Sequence, residues 1–156
     1  MRLSFASATW LRQAGLVFAA ALLLACGPVG PVPGGRLSGP VAEIPVRDWS
    51  FTAAIKTVQL ETRPDAPYSV NIWGVASGPS FYVTSGDGGA SRWARNIEAD
   101  PRVRLKAGDE IVELKATHVA DASEIDAVLV RLKAKYDFDP TPEQRAKAWL
   151  FRLDPR

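Results

Sequence analysis

From Thr57 to Leu153 the chain switches between two hydrophobic periods, and each switch marks the edge of an element. Thr57–Thr62, TVQLET, alternates and predicts a strand; the two prolines of Arg63-Pro64-Asp65-Ala66-Pro67 then predict a turn. Tyr68–Val75, YSVNIWGV, predicts a second strand with Ser69, Asn71 and Trp73 on one face and Val70 and Ile72 on the other. Ala76–Ser80 turns the chain into a third strand at Phe81–Thr84, giving a hairpin. The glycines of Ser85-Gly86-Asp87-Gly88-Gly89 supply a reversal, and a helix follows. Ser91 is placed to cap it, Trp93 and Ile97 share a face at i and i+4, and Asp100-Pro101 ends it. Val103 and Leu105 resume the strand period. Lys106–Asp109 is a second hairpin turn, and Glu110–Val119 is a long strand with no purely apolar face.

The last third is helical in pattern. Asp121-Ala122-Ser123-Glu124 has the form of a capping box, and Ile125, Val128, Leu129, Leu132 and Tyr136 make an apolar stripe. Thr141-Pro142-Glu143-Gln144 starts a shorter helix expected to reach about Trp149, with a closing strand at Leu150–Leu153. The segment Val46–Phe51 fits either a short helix or an edge strand. The order of elements predicts an α+β protein, residues 46–156, whose sheet curls into a small barrel.

Ahead of this domain, Arg2 and Arg12 precede an apolar run from Ala14 to Ala25, too short to span a bilayer comfortably and suited to an export signal. Residues 26–45 are dominated by proline, glycine and valine, a composition that opposes helix and sheet and predicts a tether.

Removing residues 1–25 takes away two arginines and no acid, which leaves 17 basic and 17 acidic side chains. The basic excess of the whole chain, 19 against 17, therefore belongs to the leader and gives no case for nucleic-acid binding. With one cysteine, Cys26, no disulfide forms within the chain. His118 is the single histidine, and sequence spacing supplies it no metal-binding or catalytic partners. No nucleophile triad, paired metal ligands or phosphate-loop lysine is visible, so no catalytic side chain and no metal site are assigned. The chemical candidate is the glycine turn itself. Backbone N–H groups at a turn and a helix start, with Arg92 and Arg95 close by, can hold an anion; the plain alternative is a well-made turn.

Two resemblances follow from these residues. Leu23-Leu24-Ala25-Cys26-Gly27 resembles a bacterial lipoprotein signal, with a small residue before the cysteine and an aliphatic residue three before it. That resemblance implies lipidation of Cys26, removal of residues 1–25 and a place in the cell envelope, at the periplasmic face of the outer membrane in a Gram-negative host. The stretch YVTSGDGGASRWARNIEADPRVRLKAGDEIVELKA resembles the central block of the split-barrel flavin-binding superfamily of pyridoxamine phosphate oxidase, in its deazaflavin-dependent nitroreductase branch. The matching positions are Trp93, Asn96, Ile97, Asp100, Pro101, Val103 and Leu105.

The resemblance implies a six-stranded split barrel with short flanking helices. It also implies a homodimer that holds a deazaflavin coenzyme or FMN between subunits and reduces a small organic acceptor. Carried over by position, Ser85, Gly86, Ser91, Arg92 and Trp93 lie near the cofactor, with Asn71 and Trp73 on the pocket wall. Trp93 stands where many FMN-binding members carry a phosphate-binding lysine, which favours deazaflavin. Residues 63–67 replace the Gly-Arg-Lys-Ser-Gly-like loop of deazaflavin binders, with Arg63 as the substitute cation. A barrel that has lost the cofactor and serves as a non-enzymatic binding or scaffold module is the alternative.

Overall fold

The computed structural model describes residues 27–43 and 46–156; residues 1–26, on which the export signal and the lipidation of Cys26 are expected, lie outside them. Seven strands form one antiparallel sheet: β1 (Val58–Thr62), β2 (Tyr68–Ile72), β3 (Gly74–Ser77), β4 (Ser80–Ser85), β5 (Arg102–Ala107), β6 (Glu110–His118) and β7 (Trp149–Pro155). Among the described residues three α-helices accompany them, α1 (Arg92–Ala99), α2 (Ala122–Tyr136) and α3 (Pro142–Lys147). The strand order is β2-β1-β5-β6-β7-β4-β3, so β2 and β3 lie on opposite edges of the sheet. Trp73 alone joins them. A sheet whose two edges are linked by one residue must curl to bring those edges near each other, and because β2 and β3 do not pair the result is a half-barrel.

This corrects the expectation of six strands. Tyr68–Val75 is not one strand: β2 pairs with β1, and β3 pairs with β4 in a hairpin closed by Gly78-Pro79. The break falls where it does because Gly74 lies flat against Phe81. A Cβ at Gly74 would come within 2.3 Å of the Phe81 ring, so only glycine lets the chain cross here. At the other end, α3 stops at Lys147, and Trp149 already pairs with Ser85, so β7 starts earlier and runs longer than expected.

Alternation builds the core. Val58 and Leu60 of β1, Val103 and Leu105 of β5, Val112, Leu114 and Ala116 of β6 and Phe151 and Leu153 of β7 enclose one apolar interior, to which α1 adds Trp93, Ala94 and Ile97. Trp49 opens the domain beside a single 3-10 turn, Ser50–Ala54. Its ring packs on Phe81 at 5.1 Å and its Nε1 donates to the Pro79 carbonyl at 3.1 Å.

The outer face is covered by two different structures. Helix α2 covers the β7-β4-β3 half, seating Val128 and Leu132 against Val75, Tyr82, Val119 and Leu150. It is capped by Asp121, which accepts from the Glu124 N–H, and ends at Asp137, where φ is 54°. Over the β2-β1-β5-β6 half lies the segment expected to be a tether. Gly34 exchanges backbone hydrogen bonds with Ser69, the Leu37 N–H donates to Glu61 Oε2 at 2.6 Å, and Ile111 bonds Pro40 and Ala42. Its prolines and glycines exclude helix and sheet, as the composition requires, but the segment is a docked strap along this length.

The strap explains two burials that alternation does not. Ile111 and Glu61 both point to the outer face and both are fully covered. Glu61, 1% exposed, also accepts from Arg104 at 2.8 Å, so this half of the domain is held by a buried ion pair.

Candidate functional site

A cavity of about 520 Å³ opens where the end of β2, Trp73, the end of β4, α2 and α3 converge. One wall is aromatic. Trp73, at the crossing between β2 and β3, is 45% exposed, stacks on Tyr136 with ring centres 4.6 Å apart and planes 7° apart, and meets Phe138 edge-on at 5.9 Å. The Tyr136 hydroxyl accepts from the Gly74 N–H at 3.1 Å and lies 2.9 Å from the Gly74 carbonyl, while Lys135 donates to the same carbonyl at 2.8 Å. These bonds fix the bend that presents Trp73. Burial raises the Tyr136 hydroxyl pKa and, with the charge of Lys56 second, lowers that of Lys135.

The rest of the lining divides by chemistry. Leu129 and Leu132 of α2 are apolar; Gln144, Arg145 and Lys147 come from α3, and Asn71, Thr84, Gly86 and Asp87 from the strand ends. Arg145 is paired with Asp126. Lys147 has no ion-pair partner among the described residues. A Cβ at Gly86 would meet nothing within 4 Å, so the backbone there borders open space. Helix α3 buries none of its residues, and its last turn carries Arg145 and Lys147; the signal in the sequence is those two cations at the end of a short capped helix with no apolar stripe.

A second recess, about 370 Å³, lies between the strap and the β1–β2 turn, lined by Pro33, Gly34, Gly35, Ala66, Pro67, Tyr68 and Arg92. The Arg92 guanidinium lies 4.6 Å from the centre of the Tyr68 ring.

The residues expected at a site are thus distributed. Asn71, Trp73 and Gly86 come together in the main cavity, and Arg92 lines the recess. Ser85 and Ser91 share a hydrogen bond at 2.7 Å behind the turn, and Ser85 also donates to the Gly88 carbonyl. Ser91 is at the N-cap position as expected, but its side chain makes no cap bond and is turned to Ser85 instead. Trp93 is 7% exposed and packs edge-on against Phe151 in the core. Arg63 heads the β1–β2 turn with φ 57° and lines neither space. Asn71 donates to the Gly30 carbonyl of the strap at 2.9 Å.

The glycine turn has a packing cause. A Cβ at Gly88 would strike the Lys147 carbonyl at 2.3 Å and one at Gly89 the Trp149 ring at 2.8 Å. Arg95 spends its guanidinium on the Gly89 and Ala90 carbonyls. His118 faces Glu98 at 3.1 Å and packs beside Trp149 and Phe151, away from the cavity lining.

Residues 59–138, just over half the chain, match the sequence model of a family described as F420H2-dependent quinone reductase. The chain belongs to this family. The match spans β1 to the end of α2, including Asn71, Trp73, Gly86 and Phe138, and stops short of α3. No curated protein matches the sequence. Among solved structures, the putative pyridoxamine 5'-phosphate oxidase of Listeria innocua is similar at 13% identity and TM-score 0.55, covering 69% of this chain and 89% of its own. The heme storage protein HutZ of Vibrio cholerae is similar at 22% identity and TM-score 0.54, covering 68% and 85%. An F420-H2 dependent reductase, FDR-A, is similar at 17% identity and TM-score 0.53, covering 64% and 95%. At these identities the three establish the split-barrel fold of this family member and no more.

The family implies a deazaflavin coenzyme, and the cavity fits a ligand of that kind. Its volume lies within the roughly 300–1,000 Å³ of small-molecule pockets. It offers an exposed aromatic face, an apolar wall, open backbone at Gly86 and a lysine for an anionic group.

Proposed function

We propose that the protein is a deazaflavin-dependent oxidoreductase that reduces a small oxidised organic acceptor in the cavity beside Trp73. The observation that carries this reading is an exposed, face-stacked Trp73 in a cation-bearing cavity, in a chain that belongs to the F420H2-dependent quinone reductase family. When bound, the reduced coenzyme supplies a hydride. Every other contribution comes from the chain.

Trp73 and Phe138 offer aromatic surface to a planar ring, and the Tyr136–Gly74 bonds keep that surface in place. Leu129 and Leu132 keep water from one side. Asn71 is tied to the strap and orients the rim. Lys147, and Arg145 beyond its pair with Asp126, give charge-assisted donors to a phosphate or carboxylate. Arg92 in the recess is the candidate for an anionic extension of the same coenzyme, with its face already steadied by Tyr68. A hydride alone leaves the reduced acceptor an anion, which takes its proton from solvent at the open side of the cavity, so no side chain of the lining is assigned as general acid.

The same reading takes the protein as a homodimer, in which a partner subunit closes the open side of the cavity. It also takes the chain as a lipoprotein anchored at Cys26 in the cell envelope. No helix among the described residues is long and apolar enough to cross a membrane.

The test is to follow oxidation of the reduced deazaflavin coenzyme with a para-benzoquinone as acceptor, beside a binding titration with FMN. Saturable coenzyme binding with turnover supports the reading. A folded protein that binds no coenzyme contradicts it and leaves the non-enzymatic scaffold. Preferential FMN binding moves it to the flavin branch.

A further inference from the structure

The strap bears on how the domain meets a membrane. Sequence composition makes residues 26–45 a flexible spacer, which would let the domain tumble well clear of an anchor. The structure removes that spacer. A Cβ at Gly27 would lie 3.5 Å from Leu37 and 3.6 Å from Gln59, Pro28 is buried, and the Pro28 carbonyl accepts from Asn71 and Gln59. Chain that is already packed at Gly27 leaves one peptide step, about 3.8 Å, between the fold and residue 26. The apolar run of the leader ends at Ala25.

Next to that point the strap makes a tight apolar turn. Val29 and Val32 exchange both backbone hydrogen bonds around Gly30, where φ is 55°, and Pro31 sits at the tip. The two valines are 73% and 62% exposed, among the most exposed large apolar side chains of the domain. The turn is itself held, since Gly30 accepts from Asn71. With the chain taken as anchored at Cys26, as under the proposed function, a held apolar turn beside that point has one occupant of matching chemistry within constant reach, the bilayer surface, where the anchor would keep it at high effective concentration.

We propose that the Val29–Val32 turn seats in the headgroup boundary of the membrane and fixes the orientation of the barrel on it. The recess lined by Pro33, Gly34 and Arg92 then lies at the bilayer surface, and the half of the domain covered by α2 points away. This rests on the proposed attachment at Cys26; it uses none of the hydride chemistry in the main cavity, and it sets the Arg92 recess beside the membrane.

The test uses the full chain expressed in a bacterial host and reconstituted in vesicles of phosphatidylethanolamine and phosphatidylglycerol. A fluorophore is placed on Val32→Cys or Val130→Cys, and quenching by lipids spin-labelled in the acyl chain is compared. A lipidated Cys26 takes no dye, so the wild-type chain reports the anchor separately. The expected result is an undyed wild type, quenching several-fold stronger at 32 than at 130, and weaker quenching at 32 when Val29→Asp is added. Equal quenching at both positions, or none at 32, in a membrane-held chain overturns the orientation and leaves the anchor standing. A wild-type chain that takes dye and leaves the membrane fraction overturns both.

Discussion

The two halves of the sheet are covered by different physics. Over β7-β4-β3 an amphipathic helix contributes apolar area, and its hold is spread over Val128, Leu132 and their neighbours. Over β2-β1-β5-β6 a proline- and glycine-rich strap contributes little area and instead delivers backbone groups to a buried carboxylate, Glu61, that Arg104 neutralises. Apolar cover fails by degrees as volume is removed, whereas a buried ion pair fails abruptly when one member is lost. The main cavity draws on both coverings, through Leu129 and Leu132 on one side and strap-bound Asn71 on the other.

The sharpest way to break this contrast is Arg104→Met, which takes the hydrogen-bonded cation from buried Glu61 and leaves only the more exposed Arg36, 3.6 Å from Oε1, to face it. A loss of about 3–5 kcal/mol in denaturant unfolding is expected, and adding Glu61→Gln should recover part of it. A loss below about 1 kcal/mol for Arg104→Met would show the pair to be solvated. On the helix side, Leu132→Ala should cost about 2–4 kcal/mol and Val128→Ala less, in proportion to the space each leaves. Equal losses would argue against graded packing.

A smaller effect separates the halves by pH. Burial, then the bond to Glu124, pushes the Tyr82 hydroxyl up to about 12 from an ordinary value of 10. Its folded-state pKa is thus the higher one, so its contribution is full below pH 10 and is lost as pH rises toward 12. The difference in melting temperature between wild type and Tyr82→Phe should shrink over that window, and a constant difference would remove the assignment. Smallest is Arg63→Gly in the turn beside the strap. Relief of a left-handed φ of 57° is set against extra freedom in the unfolded chain, and a change within about 1 kcal/mol is expected.

Local chemistry was what the sequence could show. Alternation at Val103-Arg104-Leu105, the box at Asp121–Glu124 and the cap at Thr141–Gln144 each state a local preference that the fold keeps. The misses come from long-range contacts. The crossing at Trp73 depends on Phe81, seven residues beyond Gly74, and the strap depends on Glu61 and Ile111, which no period in residues 26–45 can announce. The site was half visible for the same reason. Asn71, Trp73 and Gly86 lie in the strand region that carries the family's pattern, whereas Arg145 and Lys147 join them only because Gly88 and Gly89 let α3 and Trp149 pack onto the turn.

The central claim is that the cavity between Trp73 and Lys147 holds the coenzyme. It is tested most directly by coenzyme titration, followed by fluorescence, on the wild-type protein and the variants Trp73→Ala and Lys147→Ala. The account predicts that each variant stays folded and binds about tenfold more weakly, a loss near 1.4 kcal/mol. Wild-type affinity in both folded variants would place the coenzyme elsewhere and contradict it.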